Sequence, residues 1–144
     1  MTQSIREQLL QSLTSRLVSV ALAQGAICIR SPTLPVSREQ SPALLLFPES
    51  DSIRDRPNDR VERELVIRLT ALARGDNSAQ VADGLLVSAH LALFSDANFT
   101  GLALGLKELD CEWDSEDADD GVIAIPARYQ ITYRTLAADL SQAG

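Results

Sequence analysis

Asp110, Glu112, Asp114, Glu116, Asp117, Asp119 and Asp120 crowd into one short stretch just ahead of Gly121. Carboxylates at that density could hold calcium, work as an acid–base pair, or only repel other anions. A calcium loop of the EF-hand type needs oxygen ligands at alternate positions ahead of its glycine and a bidentate glutamate six residues beyond it. With Gly121 as that glycine, Glu116 and Asp120 fit, but Ala118 takes the central ligand position and Ala127 the glutamate position. The spacing excludes calcium. Acid–base work by paired carboxylates requires a pocket that drives their pKa values apart, and a polar run of like charges supplies none. The run therefore reads as the solvated end of a hairpin, a patch of negative potential centred on Asp117, Asp119 and Asp120.

The remaining reactive side chains are sparse. His90 is the single histidine, and neighbouring Cys, Asp or Glu at metal-ligand spacing are missing from its sequence surroundings. A serine hydrolase would have to recruit it, yet no G-x-S-x-G elbow is present. Gly101-Leu102-Ala103-Leu104-Gly105-Leu106-Lys107 lacks the Walker spacing for phosphate. Cys28 and Cys111 form no CxxC pattern and are expected to be buried thiols. Arg74-Gly75-Asp76 is accounted for by a strand-to-helix turn, and Asn98-Phe99-Thr100 is a glycosylation sequon that matters only after secretion. No catalytic, metal or cofactor set emerges, and the chain is expected not to be an enzyme.

These residues must be positioned by a chain of 144 residues with a net charge of -7. That length suits one domain, 1–144, able to bury a core without metal or disulfide. The acidic balance argues against adhesion to nucleic acid or anionic lipid, since both polyanions need a basic footprint, and points to protein partners. The N-terminus has a superficial likeness to a signal peptide, but Glu7 and Arg16 interrupt the apolar region. It reads as a helix, and no apolar run reaches the roughly 20 residues needed to span a bilayer. The chain is expected in the cytoplasm when made.

Ser4-Ile5-Arg6-Glu7 has the S-x-x-E form of a capping box, and Ile5, Leu9, Leu13, Leu17 and Val20 follow at helical spacing, with Gly25 as the stop. Residues 26–30 and 43–47 are short apolar runs of strand character, the second bounded by Pro42 and Pro48. Between them 31–42 is loop or edge. PESDSIRDRPNDR, residues 48–60, is polar and doubly charged, so a flexible loop is expected there. From 61 to 73 Val61, Leu65, Ile67, Leu69 and Ala71 alternate with Glu62, Glu64, Arg68 and Thr70, a strand with one wet face. Val66 and Leu72 on that wet face suggest partial cover by another subunit. Asp76 or Asn77 can cap a helix over 78–95 whose core stripe is Ala82, Leu85, Leu86, Ala89 and Leu93. Val81, Val87 and Leu91 leave its sides unusually apolar. Residues 102–114 and 122–135 are the two strands of a hairpin, with Pro126 marking an edge or a bulge. The order predicts an α+β fold: an antiparallel or mixed sheet of about four to five strands with two main helices packed on one face.

With the elements in this order, residues 81–135 become recognisable. An Ala-Asp helix carrying a histidine ends at Asp96, a Gly-Leu-Ala step follows at 101–103, and an acidic hairpin leads to the closing "RYQITYRT" strand at Arg128 to Thr135. Together with "SPALLLFPESD" at 41–51, this resembles the tail terminator (minor tail, lambda U-like) proteins of long-tailed bacteriophages and prophages. The resemblance implies a subunit that assembles as a hexameric ring, possible also as a monomer when isolated. The ring would cap the tail tube protein, stop polymerisation, and offer its other face to a head connector or completion protein. DNA would be passing cargo, with no membrane and no cofactor, in the host cytoplasm during assembly and then in the virion neck. On that reading Arg54, Arg56, Arg60, Val81, Val87 and Leu91 are candidate assembly residues, and Asp117, Asp119 and Asp120 a candidate acidic lumen or partner patch. The resemblance transfers no catalytic residue. The alternatives are another head–tail joining or tube-related structural protein, and a small hydrolase or transferase with a hidden site.

Overall fold

The computed structural model describes residues 2–33, 40–112 and 122–144. Asp117, Asp119 and Asp120 lie outside the described residues. Helix α1 (Ile5–Ala23) leads to strand β1 (Ile27–Arg30), then β2 (Ala43–Asp55), β3 (Arg60–Arg74), helix α2 (Ser78–Phe94), β4 (Gly105–Cys111) and β5 (Val122–Leu136). The five strands form one sheet in the order β1-β2-β3-β5-β4. Only β1 and β2 run parallel; the other neighbours are antiparallel. Both helices pack on the same side, α1 against β1 and β2, α2 against β3 and β5, and each against the other. The fold is α+β, a mixed sheet with its helices on one face.

The ends of α1 show how local chemistry and tertiary contacts divide the work. Ser4 Oγ accepts from the Glu7 backbone N–H at 3.0 Å. The reciprocal half of the capping box yields to a tertiary contact: Arg30 of β1 donates to both Glu7 oxygens, at 2.6 and 2.7 Å. A bidentate guanidinium–carboxylate pair outcompetes one backbone donor, and it holds the Glu7 carboxyl below its ordinary pKa. At the other end Gly25 takes φ 69°, while the N–H groups of Ala26 and Gly25 donate to the carbonyls of Ala21 and Leu22. This is a Schellman stop, which needs a residue at ease with positive φ. The buried stripe is Ile5, Leu9, Leu10, Leu13, Leu17 and Ala21. Ala21, not Val20, completes it, since the face turned to the sheet drifts with the 3.6-residue period.

The largest departure from expectation is at 48–60. The flexible loop expected there is mostly strand: β2 continues to Asp55, paired with β3 from Pro48↔Ile67 through Asp55↔Glu62, with register shifts after Pro48 and Ile53. Polar composition had suggested a loop, but a hairpin arm need not bury a face; it needs only ladder partners, which β3 supplies. β4 is likewise shorter than the strand read over 102–114, because 99–104 turn through positive φ at Phe99, Thr100 and Gly101. Among the described residues, β4 pairing stops at Cys111↔Ala127, so Pro126 pairs only with β3, at Thr70.

The core between sheet and helices joins Leu44 and Leu46 of β2, Leu65, Ile67 and Leu69 of β3, and Ile131, Tyr129 and Tyr133 of β5 to the two helix stripes. Neither cysteine is a buried thiol: Cys28 is half-buried at the core margin and Cys111 is exposed. Burial pushes the Cys28 thiol up to about 11. Asn77 is the N-cap of α2, but no side-chain hydrogen bond caps that end. The C-terminus of α2 is instead closed by α1: Arg16 donates to the carbonyls of Leu93 and Asp96 at 3.2 and 3.0 Å, pairs with the Asp96 carboxylate at 3.3 Å, and lies 4.3 Å over the buried Phe99 ring. A guanidinium there satisfies orphan carbonyls and opposes the negative end of the helix dipole.

Candidate functional site

The sequence-derived candidates among the described residues fall on two separate parts of the molecule. Arg54, Arg56 and Arg60 sit at the tip of the β2–β3 arm, Val81, Val87 and Leu91 on α2, and the acidic trio outside the described residues. The structure does not bring the first two groups together. Arg60 lies seven residues before Ile67, which is the register partner of Tyr129 beneath α2. At about 3.3 Å per residue that is roughly 23 Å along the strand.

At the arm tip, Arg54 is held 3.5 Å from both Glu62 and Glu64, whereas Arg56 and Arg60 are exposed. Neither of those two enters an ion pair among the described residues. Nearer the base, the arm meets the α1 layer: the Asp51 carboxylate accepts from the Tyr133 hydroxyl and pairs with Arg6 at 3.1 Å. Burial and the neighbouring Asp51 charge push the Tyr133 phenol well above its ordinary value.

The sheet face away from the helices carries a charge-balanced ladder. Glu49 bridges Arg68 at 3.5 Å and Arg128 at 2.8 Å; Arg128 also holds Asp110 at 2.7 Å, and Arg134 pairs with Glu62 at 3.2 Å. Exposed pairs of this kind contribute about 0–1 kcal/mol each. Their effect is to keep this face wet and neutral, and they account for the polar half of β3 without a partner.

The outer side of α2 is different. Val87 and Leu91 are 54% and 68% exposed, and Phe94 is 38% exposed. Val81 is less exposed, partly buried where it packs against the core, as is Leu86. Beside the flank runs a groove of about 390 Å³ between α2 and the β4–β5 hairpin, lined by Leu86, Val87, His90, Leu91, Glu108, Cys111, Ala127 and Tyr129. Fully burying one leucine is worth about 1.5–3 kcal/mol, and most of that remains ungained at Leu91.

The groove has a polar corner. His90 Nδ1 is 2.9 Å from the Tyr129 hydroxyl and 3.3 Å from Glu108 Oε2, with the Phe94 ring 4.7 Å away. With its hydrogen on Nδ1 the imidazole donates toward Glu108; with the hydrogen on Nε2, Nδ1 accepts from the phenol. Burial, then the charges of Glu108 and Cys111, push Tyr129 up to about 12. The Cys111 thiol is also raised, by burial and by Glu108 and Asp110. A thiol held protonated beside carboxylates is a poor nucleophile. Among the described residues no group of three or more His, Cys, Asp or Glu is placed to hold a metal, and no helix is long and apolar enough to cross a membrane.

Sequence reasoning found Val87 and Leu91 but missed Phe94 and the Tyr129–Glu108–Cys111 side of the groove. The helical half was accessible, because residues 87, 90, 91 and 94 recur at the three-and-four spacing of a second stripe. The strand half was not, since it depends on which strand lies under that stripe. No known family model matches the chain, and comparison with curated proteins finds no significant match.

Proposed function

We propose that this chain is a structural subunit of a long-tailed bacteriophage or prophage: a tail terminator that closes into a ring on the tail tube, stops tube growth and offers its far surface for head joining. The observation that carries the reading is the exposed Val87–Leu91–Phe94 flank of α2 beside an apolar groove. Contiguous apolar surface of this kind marks protein contact, and it occurs within the 81–135 segment whose pattern resembles the terminator family. An α+β subunit with a helix flank, an open β4 edge and a projecting arm has the unlike surfaces that head-to-tail rings require. The protein would act in the host cytoplasm during assembly and then in the virion neck, with DNA only passing through.

The test is tube growth. Purified tail tube protein polymerising in the presence of this chain should yield tubes of arrested length capped by a ring, and native mass spectrometry should resolve one discrete oligomer, a hexamer. Tubes that elongate unchecked would sink the terminator reading. Filaments of the purified chain alone would point to a tube-related protein instead.

A further inference from the structure

One carboxylate lines the groove beside α2, and no permanent cation lines it. Glu108 is 56% exposed, and among the described residues its one ion-pair partner is His90, 3.3 Å away and charged only when protonated. The nearby cations serve the other sheet face. Arg128 is taken there by Glu49 and Asp110, and Lys107 points to that side because adjacent residues of a strand alternate. Burial is the first cause that raises the Tyr129 phenol and the Cys111 thiol, and the Glu108 charge is the next for both, so the corner is negative. Its polar groups come from three elements: His90 Nδ1 of α2 is 2.9 Å from the Tyr129 hydroxyl of β5 and 3.3 Å from Glu108 Oε2 of β4. With the imidazole hydrogen on Nε2 the phenol donates to Nδ1, leaving the phenol oxygen and the carboxylate as acceptors. The walls are apolar, Leu86, Val87 and Leu91, and the Phe94 ring stands beside the imidazole, centroids 4.7 Å apart. A matching ligand is a compact cation on an unbranched apolar stem. An ammonium, whose three hydrogens point in different directions, suits acceptors converging from separate elements better than the flat fork of a guanidinium.

We propose that the groove receives a lysine side chain of a different protein, its stem along Leu86, Val87 and Leu91 and its ammonium donating to Glu108 and to the Tyr129 hydroxyl oxygen. The groove's volume of about 390 Å³ lies in the range of sites that enclose a small ligand, ample for one such side chain. The source is a protein and not a free amine, because the groove continues into the exposed Val87–Leu91–Phe94 flank, apolar surface that a small amine would leave uncovered. The protein is not a second copy, because Lys107 is the only lysine of this chain and stands on the opposite sheet face among the polar side chains of Gln130 and Thr132, a poor match for that flank. The contact rests on reading the flank as an assembly surface, and the tail tube protein is the partner that reading supplies.

Two measurements test it. Titrating the full chain with n-hexylamine, followed by methyl NMR, should shift Val87 and Leu91 with an affinity at least about tenfold above that of hexanol or hexanoate, and Glu108→Gln should remove the advantage. Hexanol binding as tightly as hexylamine, or an advantage that survives Glu108→Gln, would overturn the ammonium site. Hexylguanidine binding as tightly would overturn the choice of lysine. In the tube-growth assay, a water-soluble carbodiimide should join the Glu108 carboxylate to a tube-protein lysine: the amine displaces the activated oxygen, which leaves as the urea, and an amide forms. Glu108→Gln should not give that product, and a Glu108 cross-link to a second copy of this chain would overturn the assignment to a different protein. Capped tubes without the cross-link would leave the terminator reading standing and remove the lysine contact. Unchecked tube growth with hexylamine binding intact would remove the terminator reading and leave the ammonium site.

Discussion

Two ends of a single strand, β2, obey different rules. Ala43 to Leu46 are buried, with Leu44 and Leu46 at 0% exposure in the core, whereas Pro48 to Asp55 stand in solvent apart from the half-buried Asp51. The ladder to β3 runs through both ends, so backbone pairing does not distinguish them. What differs is the layer above: α1 covers the base and stops where Arg6 meets Asp51. The base is held by apolar burial, the border by a polar knot, and the arm by hydrogen bonds and exposed ion pairs worth little each. Stability should therefore concentrate at the base, leaving the arm free to carry assembly.

That contrast can be broken in order of effect. Leu46→Ala should cost about 3 kcal/mol through lost transfer energy and a cavity, measured by urea unfolding; a cost under about 1 kcal/mol would mean the base is not the core. Asp51→Ala, at the border, should cost about 1–3 kcal/mol because the buried Tyr133 hydroxyl and Arg6 both lose their partner. The alkaline limb of the stability curve should report the same layer. Tyr129 has its pKa raised from 10.0 to about 12 in the folded chain, so between those values the native state keeps a proton that the unfolded state releases. The stabilisation is full below about pH 10 and is lost as pH rises toward 12. Tyr129→Phe should flatten that fall, and an unchanged slope would place the titration elsewhere. Smallest of all, reversing Arg54 and Arg56 to Glu should shift unfolding by less than about 1 kcal/mol while abolishing ring formation in native mass spectrometry. A large loss of stability there would erase the distinction between arm and base.

The two helices repeat the lesson. α1 is fastened at its ends by Ser4, Arg30 and the Gly25 turn, while α2 depends on Arg16 from α1 for its C-terminal cap. Arg16 attracted notice in the sequence only as a charge interrupting an apolar run. Its role as a cap spans 77 and 80 residues of chain and has no local signature. The acidic stretch, conspicuous in the sequence, falls largely outside the described residues, so the candidate lumen gains no geometry.

Alternation over 61–73 and 122–135, the three-and-four spacing of both helices and the Gly25 stop were enough to define the α+β class and most of the core. These are periodicities, and a periodic apolar face has few ways to be buried. The extent of β2 escaped because composition reports what can be buried, and an arm paired only through its backbone buries little. The groove escaped for a related reason. Residue types along the chain decided that α2 would have a greasy outer side, but only the strand order β3-β5-β4 brought Glu108, Cys111 and Tyr129 beside it. Contacts between distant segments depend on which surfaces pack together, and that information is shared among elements and carried by none of them alone.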